Sequence, residues 1–190
     1  MVCYKLIEFT IVTKLTMKSL LIIGWVWPEP KSSAAGSRML QLIKLFQQHS
    51  YRVIFASPAQ QTEHMEDLTF HDVQTRLVTL NCTSFDDFVS DLSPDIVMYD
   101  RYMMEEQFGW RVTKACPNAL TLLDTEDLQS LRNARHQAIK QKRSANEADL
   151  HTDLAIREIA AIYRCDLSIM ISQAEIELLT SFYGVDRALM

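Results

Sequence analysis

The sequence predicts an α/β domain of Rossmann-like type, three layers deep, with a mostly parallel sheet between two layers of helices. Three observations carry that expectation. Short apolar runs alternate along the chain with longer segments of helical period, the pattern of repeated βα units. The first run, Leu20-Leu21-Ile22-Ile23, is continuously apolar, as a strand covered on both faces must be. The 190 residues, 48% hydrophobic and 23% charged, suffice for a sizeable core and lack the low hydrophobicity of disordered chains.

The elements follow in order. Residues 19–27 read as the first strand, ended by Pro28 and Pro30, which force an extended loop. Ser32 and Ser33 are N-cap residues for a helix running to about His49. Its Met39, Leu42, Ile43 and Phe46 stand at i, i+3, i+4 and i+7, one core-facing stripe. Residues 52–57 form a second strand, 76–80 a short third, 84–92 a helix and 95–99 a strand announced by Pro94. Residues 102–115 are helical up to Pro117, 119–123 a strand, and 125–146 a long polar helix with Thr125 as its cap. A helix over 150–163 carries Leu154, Ile159 and Ile162, and a last strand over 166–171 leads to a helix opened by Ser172, with Glu175 at the capping-box position.

Residues 1–16 stand outside this series. Lys5, Glu8, Lys14 and Lys18 interrupt the apolar N-terminus too often for a bilayer-spanning run, and no small-residue cleavage site follows it. Residues 1–16 are therefore expected to be an N-terminal extension, and 17–190 the domain.

Composition excludes several functions. Average usage would supply roughly 13 glycines in such a chain. It has four, Gly24, Gly36, Gly109 and Gly184, each isolated, so neither a dinucleotide fingerprint nor a Walker loop can be written. With 19 basic and 24 acidic residues the net charge is −5, which argues against a nucleic-acid partner. Cys3, Cys82, Cys116 and Cys165 form no C-x-x-C pair, so no disulfide framework or zinc site is expected, and a reducing cytoplasm is. The five histidines form no zincin pattern and no G-x-S-x-G occurs, so neither a metal centre nor a serine nucleophile is expected.

Ligands of a parallel sheet gather at the carboxyl ends of its strands. Four loops lie there: 25–36, 57–72, 100–102 and 124–127. In the first, Gly36 permits close backbone approach, Ser37 and its neighbours add hydroxyls, and Arg38 adds positive charge at a helix N-terminus suited to an anion. A capped helix with solvated charges is the plainer alternative, set against a long loop that holds two tryptophans. Asp124, Thr125, Glu126 and Asp127 suit ligand hydroxyls, or simply a first helical turn whose macrodipole favours acids. Asp100 and Arg101 are similarly placed at the preceding strand end. His64 and His71 lie in a loop from which they could reach a substrate, with exposed loop histidines the commoner explanation. The basic stretch 132–143 suits a solvated helix face, or a peripheral contact with anionic lipid or a phosphate-bearing acceptor.

The segments Pro28-Glu-Pro-Lys-Ser-Ser-Ala-Ala-Gly-Ser-Arg-Met-Leu-Gln-Leu-Ile43 and Tyr51-Arg-Val-Ile-Phe-Ala-Ser57 resemble the opening of a GT-B glycosyltransferase, in particular the N-terminal half of a bacterial family-4-like (group 1) enzyme. Pro94-Asp-Ile-Val, Glu105-Glu-Gln-Phe-Gly-Trp-Arg-Val112, Leu123-Asp-Thr-Glu-Asp-Leu128 and Cys165-Asp-Leu-Ser-Ile-Met-Ile-Ser-Gln-Ala-Glu175 resemble later segments of the same half. The resemblance spans about residues 17–186 and rests on the order and spacing of these motifs. It implies an acceptor-side domain that works with a second, donor-binding domain to move a sugar from a nucleotide sugar to an acceptor hydroxyl. The acceptor would be a glycan or a lipid-linked sugar, with no further cofactor. Gly36, Ser37 and Arg38 would face the donor's phosphates, and Asp100, Arg101 and the 124–127 turn would line the acceptor side.

Two departures qualify what the resemblance implies. Many relatives carry a histidine in the first loop or after the fourth strand, where this chain reads Lys31-Ser-Ser and Tyr99-Asp-Arg, so no catalytic residue is carried over. The chain ends at Met190, where the resemblance would place the second domain, so the donor-binding half is expected to be missing and the chain incomplete as a catalyst alone. The alternative expectation is a non-catalytic Rossmann-like module that binds a nucleotide or sugar.

Overall fold

A computed structural model of the protein describes residues 17–144 and 146–190; the extension expected at 1–16 lies outside the described residues. Six strands form one all-parallel sheet in the order β3-β2-β1-β4-β5-β6. They are β1 (Ser19–Ile23), β2 (Arg52–Ser57), β3 (Gln74–Leu77), β4 (Ile96–Asp100), β5 (Leu120–Asp124) and β6 (Leu167–Ile169). The helices are α1 (Ala34–Gln48), α2 (Ser84–Leu92), α3 (Tyr102–Ala115), α4 (Gln129–Lys140), α5 (Asp153–Arg164) and α6 (Gln173–Ser181). Short 3₁₀ turns occupy Leu68–His71, Glu147–Leu150 and Arg187–Leu189. This is the Rossmann-like three-layer architecture the alternating runs imply. No helix among the described residues is long and apolar enough to cross a membrane.

The period of two along each strand divides the core into two layers. Leu20 and Ile22 of β1, Val53 and Phe55 of β2, and Ile96 and Met98 of β4 pack with Trp27 and with Met39 and Ile43 of α1. Leu21, Ile23, Ile54, Ala56, Val97 and Tyr99 face the other way, against Phe85 and Val89 of α2, Phe108 and Val112 of α3, and Ala161 and Ile162 of α5. β1 and β4 are buried along their whole length. Fully burying each such Leu or Ile is worth about 1.5–3 kcal/mol, which is why these two strands are the middle of the sheet.

Several boundaries differ from the sequence reading; among them, α5 begins at Asp153 instead of 150, and β6 spans Leu167–Ile169 instead of 166–171. β1 stops at Ile23, short of residue 27, because the chain leaves the sheet at Gly24. Gly24 still donates to Ala56 O at 2.8 Å, and a Cβ there would meet the Phe55 ring at 2.2 Å. β3 lies at 74–77 instead of 76–80; all four residues are exposed, so no apolar run marked it. α4 begins at Gln129, four residues after the expected cap. β5 continues to Asp124, and Thr125 is held to β6 by its N–H and its hydroxyl, both donating to Ile169 O at 3.3 and 3.1 Å. Glu126 then turns with φ 60°, so residues 125–127 are a turn and not helical. α4 also ends early, at Lys140 instead of about 146.

Candidate functional site

Strand order reverses between β1 and β4, so the chain leaving β1 runs toward β2 while the chain leaving β4 runs toward β5. The diverging loops leave a crevice at the carboxyl edge of the sheet, the usual ligand position in open α/β folds. A pocket of about 230 Å³ occupies it. Its walls are Trp27, Pro28 and Glu29 of the first loop, Ser33, Gly36 and Met39 at the start of α1, Asp100 and Arg101 after β4, and Asp124 and Glu126 after β5.

The first wall is a loop folded onto the helix it precedes. The Trp27 indole donates to Ala59 O at 2.8 Å and its ring lies 5.6 Å from that of Phe55. The Glu29 carbonyl accepts from Ser32 N and Ser33 N at 3.1 and 2.9 Å. Thr62 and Ser32 donate their hydroxyls to the Glu29 carboxylate, and these bonds hold its pKa below the ordinary value. Ser33 is the N-cap of α1, its Oγ accepting from Gly36 N at 3.0 Å. A Cβ on Gly36 would stand 2.5 Å from the Glu29 backbone, so only glycine lets helix and loop meet. Ser37 gives its hydroxyl to Pro30 O at 3.0 Å, which commits it to the same junction.

The floor is charged. Asp100 is 6% exposed and accepts from Trp25 N at 3.2 Å. Burial pushes its pKa up to about 6, against the opposing pull of Arg101 and with the help of Asp124. Arg101 Nε stands 3.7 Å from Asp100 Oδ1, and its Nη2 stands 3.4 Å from Glu126 Oε2. Burial also raises the Glu126 pKa, with Arg101 pulling the other way. Arg38 Nη2 reaches from α1 to Asp124 Oδ1 at 2.7 Å, joining residues 86 apart in sequence. Arg101 and Glu126 both hold positive φ, 72° and 60°, costly for residues with a Cβ.

Among the described residues, Arg38 Nε, Arg101 Nε and Glu126 Oε2 are buried around this crevice without a hydrogen-bond partner. Native interiors leave few such atoms unpaired, and a ligand carrying both donors and acceptors would satisfy them. A carboxyl titrating near neutrality is also a competent proton acceptor.

Among the residues expected from sequence, Gly36, Asp100, Arg101, Asp124 and Glu126 line this pocket, and Arg38 is bound to Asp124 beside it. Ser37, Thr125 and Asp127 do not line it. Asp127 turns to Arg132 Nη2 and to Gln129 Nε2, which donates to it at 2.8 Å. The loop over 57–72 braces the first loop: Glu66 N donates to Pro28 O at 2.8 Å, His71 bonds Glu66, and His64 stays exposed. In the basic stretch, Arg132 pairs with Asp127 and Arg143 with Asp149.

Sequence reading missed what holds the acidic turn in place. The first N–H groups of α4 are capped from two other helices. Glu158 Oε1 and Oε2 accept from Gln129 N and Ser130 N at 2.6 and 2.9 Å, and Glu175 Oε1 accepts from Leu128 N at 3.2 Å. No local signal marks Glu158 for this role. Glu175 was visible as a capping-box residue; its own N–H does bond Ser172 Oγ at 3.2 Å, but its carboxylate reaches α4 instead.

No protein-family model matches the sequence, and no curated protein matches it. Solved structures do share the fold. The apo form of the lipopolysaccharide outer core galactosyltransferase WaaB superposes with a TM-score of 0.58 at 13% identity, covering 90% of this chain and 44% of that one. The sucrose-phosphate synthase of Thermosynechococcus elongatus gives 0.55 at 12% identity, covering 87% and 45%. A putative UDP-N-acetylglucosamine 2-epimerase from Listeria monocytogenes gives 0.55 at 12% identity, covering 92% and 44%. The chain therefore spans less than half the length of each, and the likeness is one of fold: a Rossmann-like domain of the GT-B type.

Proposed function

We propose that this chain is the acceptor-side half of a glycosyltransferase that carries a sugar from a nucleotide sugar to an acceptor hydroxyl, with the donor held by a second domain. The observation that supports this reading is the switch-point pocket, where a buried carboxyl titrating near neutrality sits among buried donor and acceptor atoms without hydrogen-bond partners among the described residues. At about 230 Å³ it falls below the roughly 300–1,000 Å³ typical of drug-sized ligand sites, as expected where a second domain completes the walls.

The geometry supports a division of labour. The reacting acceptor hydroxyl would accept from Arg101 Nε and donate to the Asp100 carboxylate, which takes its proton as the new glycosidic bond forms, while a neighbouring acceptor hydroxyl would donate to Glu126 Oε2. The leaving diphosphate develops charge as the sugar becomes oxocarbenium-like, and Arg38 with the N-terminal turn of α1 is the cationic side facing that charge. Similar folds are found in an enzyme named a galactosyltransferase and in one named a putative epimerase, so product identity separates the two chemistries.

Calorimetry and product analysis test the reading. With UDP-glucose or UDP-galactose the chain alone is expected to show weak, millimolar binding and no turnover. With a donor-binding domain supplied, it is expected to form a glycoside whose yield falls strongly in Arg101→Ala. Tight binding of the nucleotide sugar by this chain alone would favour a self-sufficient nucleotide-binding module. An epimerised donor sugar without a glycoside would overturn transfer in favour of epimerisation.

A further inference from the structure

A second cleft lies away from the switch point, on the sheet face covered by α3 and α5. It encloses about 640 Å³, within the roughly 300–1,000 Å³ range of small-molecule sites. Tyr99 of β4 lines it, and Trp110 of α3 stands on its wall with 57% of its surface exposed.

A buried hydroxyl marks it as a ligand site. Tyr99 is 1% exposed and, among the described residues, its hydroxyl has no hydrogen-bond partner. A buried hydroxyl left unpaired is costly, so one that lines a cleft is a group waiting for an acceptor. Burial holds its pKa well above the ordinary tyrosine value, so it stays a neutral donor at all ordinary pH. On the same wall, a Cβ at Gly109 would stand 2.6 Å from Glu105 Oε1, so glycine lets that carboxylate lie back along α3.

The lining also restricts what fits. Glu105 is paired with Arg164, whose Nε donates to it at 2.8 and 2.9 Å, and Glu106 with Arg157 at 2.6 and 3.0 Å. With each carboxylate matched to a guanidinium, the cleft offers no net attraction to an ion. What remains is a hydroxyl donor and an indole whose ring Arg111 braces, its guanidinium carbon 4.6 Å from the centroid. An indole face is electron-rich and takes the weakly positive C–H groups of a sugar ring, while the ring's hydroxyls bond polar neighbours.

From these features we infer that the cleft between α3 and α5 is a binding site for a neutral sugar, with Trp110 as its stacking platform and Tyr99 as its buried donor. The site is separate from the switch-point pocket and does not depend on the transfer reaction.

The test uses the ¹⁵N-labelled chain and follows the Trp110 indole N–H signal, assigned with Trp110→Phe. The probes are methyl glucoside, methyl galactoside, methyl N-acetylglucosaminide and cellotetraose, with myo-inositol as a polyol control and glucose 1-phosphate as an anionic one. At least one neutral glycoside is expected to shift the signal saturably in the millimolar range, more strongly than either control. Tyr99→Phe should weaken that binding about fivefold to tenfold while raising the Tm, because it removes an unpaired buried hydroxyl. Arg101→Ala should leave it unchanged. The inference is overturned if no glycoside shifts the signal, if binding survives Tyr99→Phe undiminished, or if Arg101→Ala abolishes it.

Discussion

Asp100 shows how much one residue's surroundings can decide. Its folded pKa of about 6 lies above the ordinary 3.8, so between those values the native state binds more protons than the unfolded chain. Stability therefore falls as pH rises through that window, by about 3 kcal/mol in all. Asp100→Asn should flatten that limb and leave the protein more stable at neutral pH, read by urea unfolding across the window; an unchanged slope would show that Asp100 does not titrate there. Gly36 makes the opposite kind of prediction. Gly36→Ala places a methyl 2.5 Å from the Glu29 backbone and should cost about 1–3 kcal/mol while displacing the first loop. Thermal melts and the Trp27 indole signal would register both effects. Both residues were visible in the sequence as candidates, because a strand end and a lone glycine before a helix are positional signals. The raised pKa was not visible, since it arises first from burial and then from Asp124, which the fold brings in from another strand end.

At the scale of elements, α4 is where local reading failed. Thr125 and the acids after it look like a helix start, yet the helix begins at Gln129, capped by Glu158 of α5 and Glu175 of α6. A cap drawn from positions 29 and 47 residues away leaves no trace in the local sequence. Glu158→Ala would strand the Gln129 and Ser130 N–H groups, with an expected cost of about 2 kcal/mol and faster hydrogen exchange at those two amides. Exchange that stays slow there would mean the cap is dispensable. By contrast α1, α2 and α3 were legible nearly to the residue, because each carries its own cap, periodic apolar stripe or helix-ending proline. β3 was misplaced for the complementary reason. It is an exposed edge strand, and its Gln74 and Arg76 belong to the solvent side of an edge, not to an apolar run.

For the whole molecule the decisive link is Arg38–Asp124, which ties α1 to the far side of the switch point. Arg38→Ala would leave Asp124, its side chain 2% exposed, as an unpaired buried charge. The expected cost is about 2–3 kcal/mol, below the range for fully buried pairs because the Arg38 side chain is 26% exposed. Adding Asp124→Asn should restore part of the loss; purely additive losses in that double-mutant cycle would mean the two side chains do not interact.

The sequence by itself determined the elements and their class: short apolar runs between periodic segments admit little besides a parallel sheet covered on both faces, since each signal is local and repeats along the chain. Only the tertiary structure decided the strand order, and with it which loops meet. Asp100, Arg101, Asp124, Glu126 and Gly36 come together because the order reverses between β1 and β4. Tyr99, one residue before Asp100, faces the other side of the sheet and a different cleft, because side chains alternate along a strand. Those convergences are products of packing between distant segments, where burial sets the charge states and leaves the unpaired polar atoms on which the functional proposal rests.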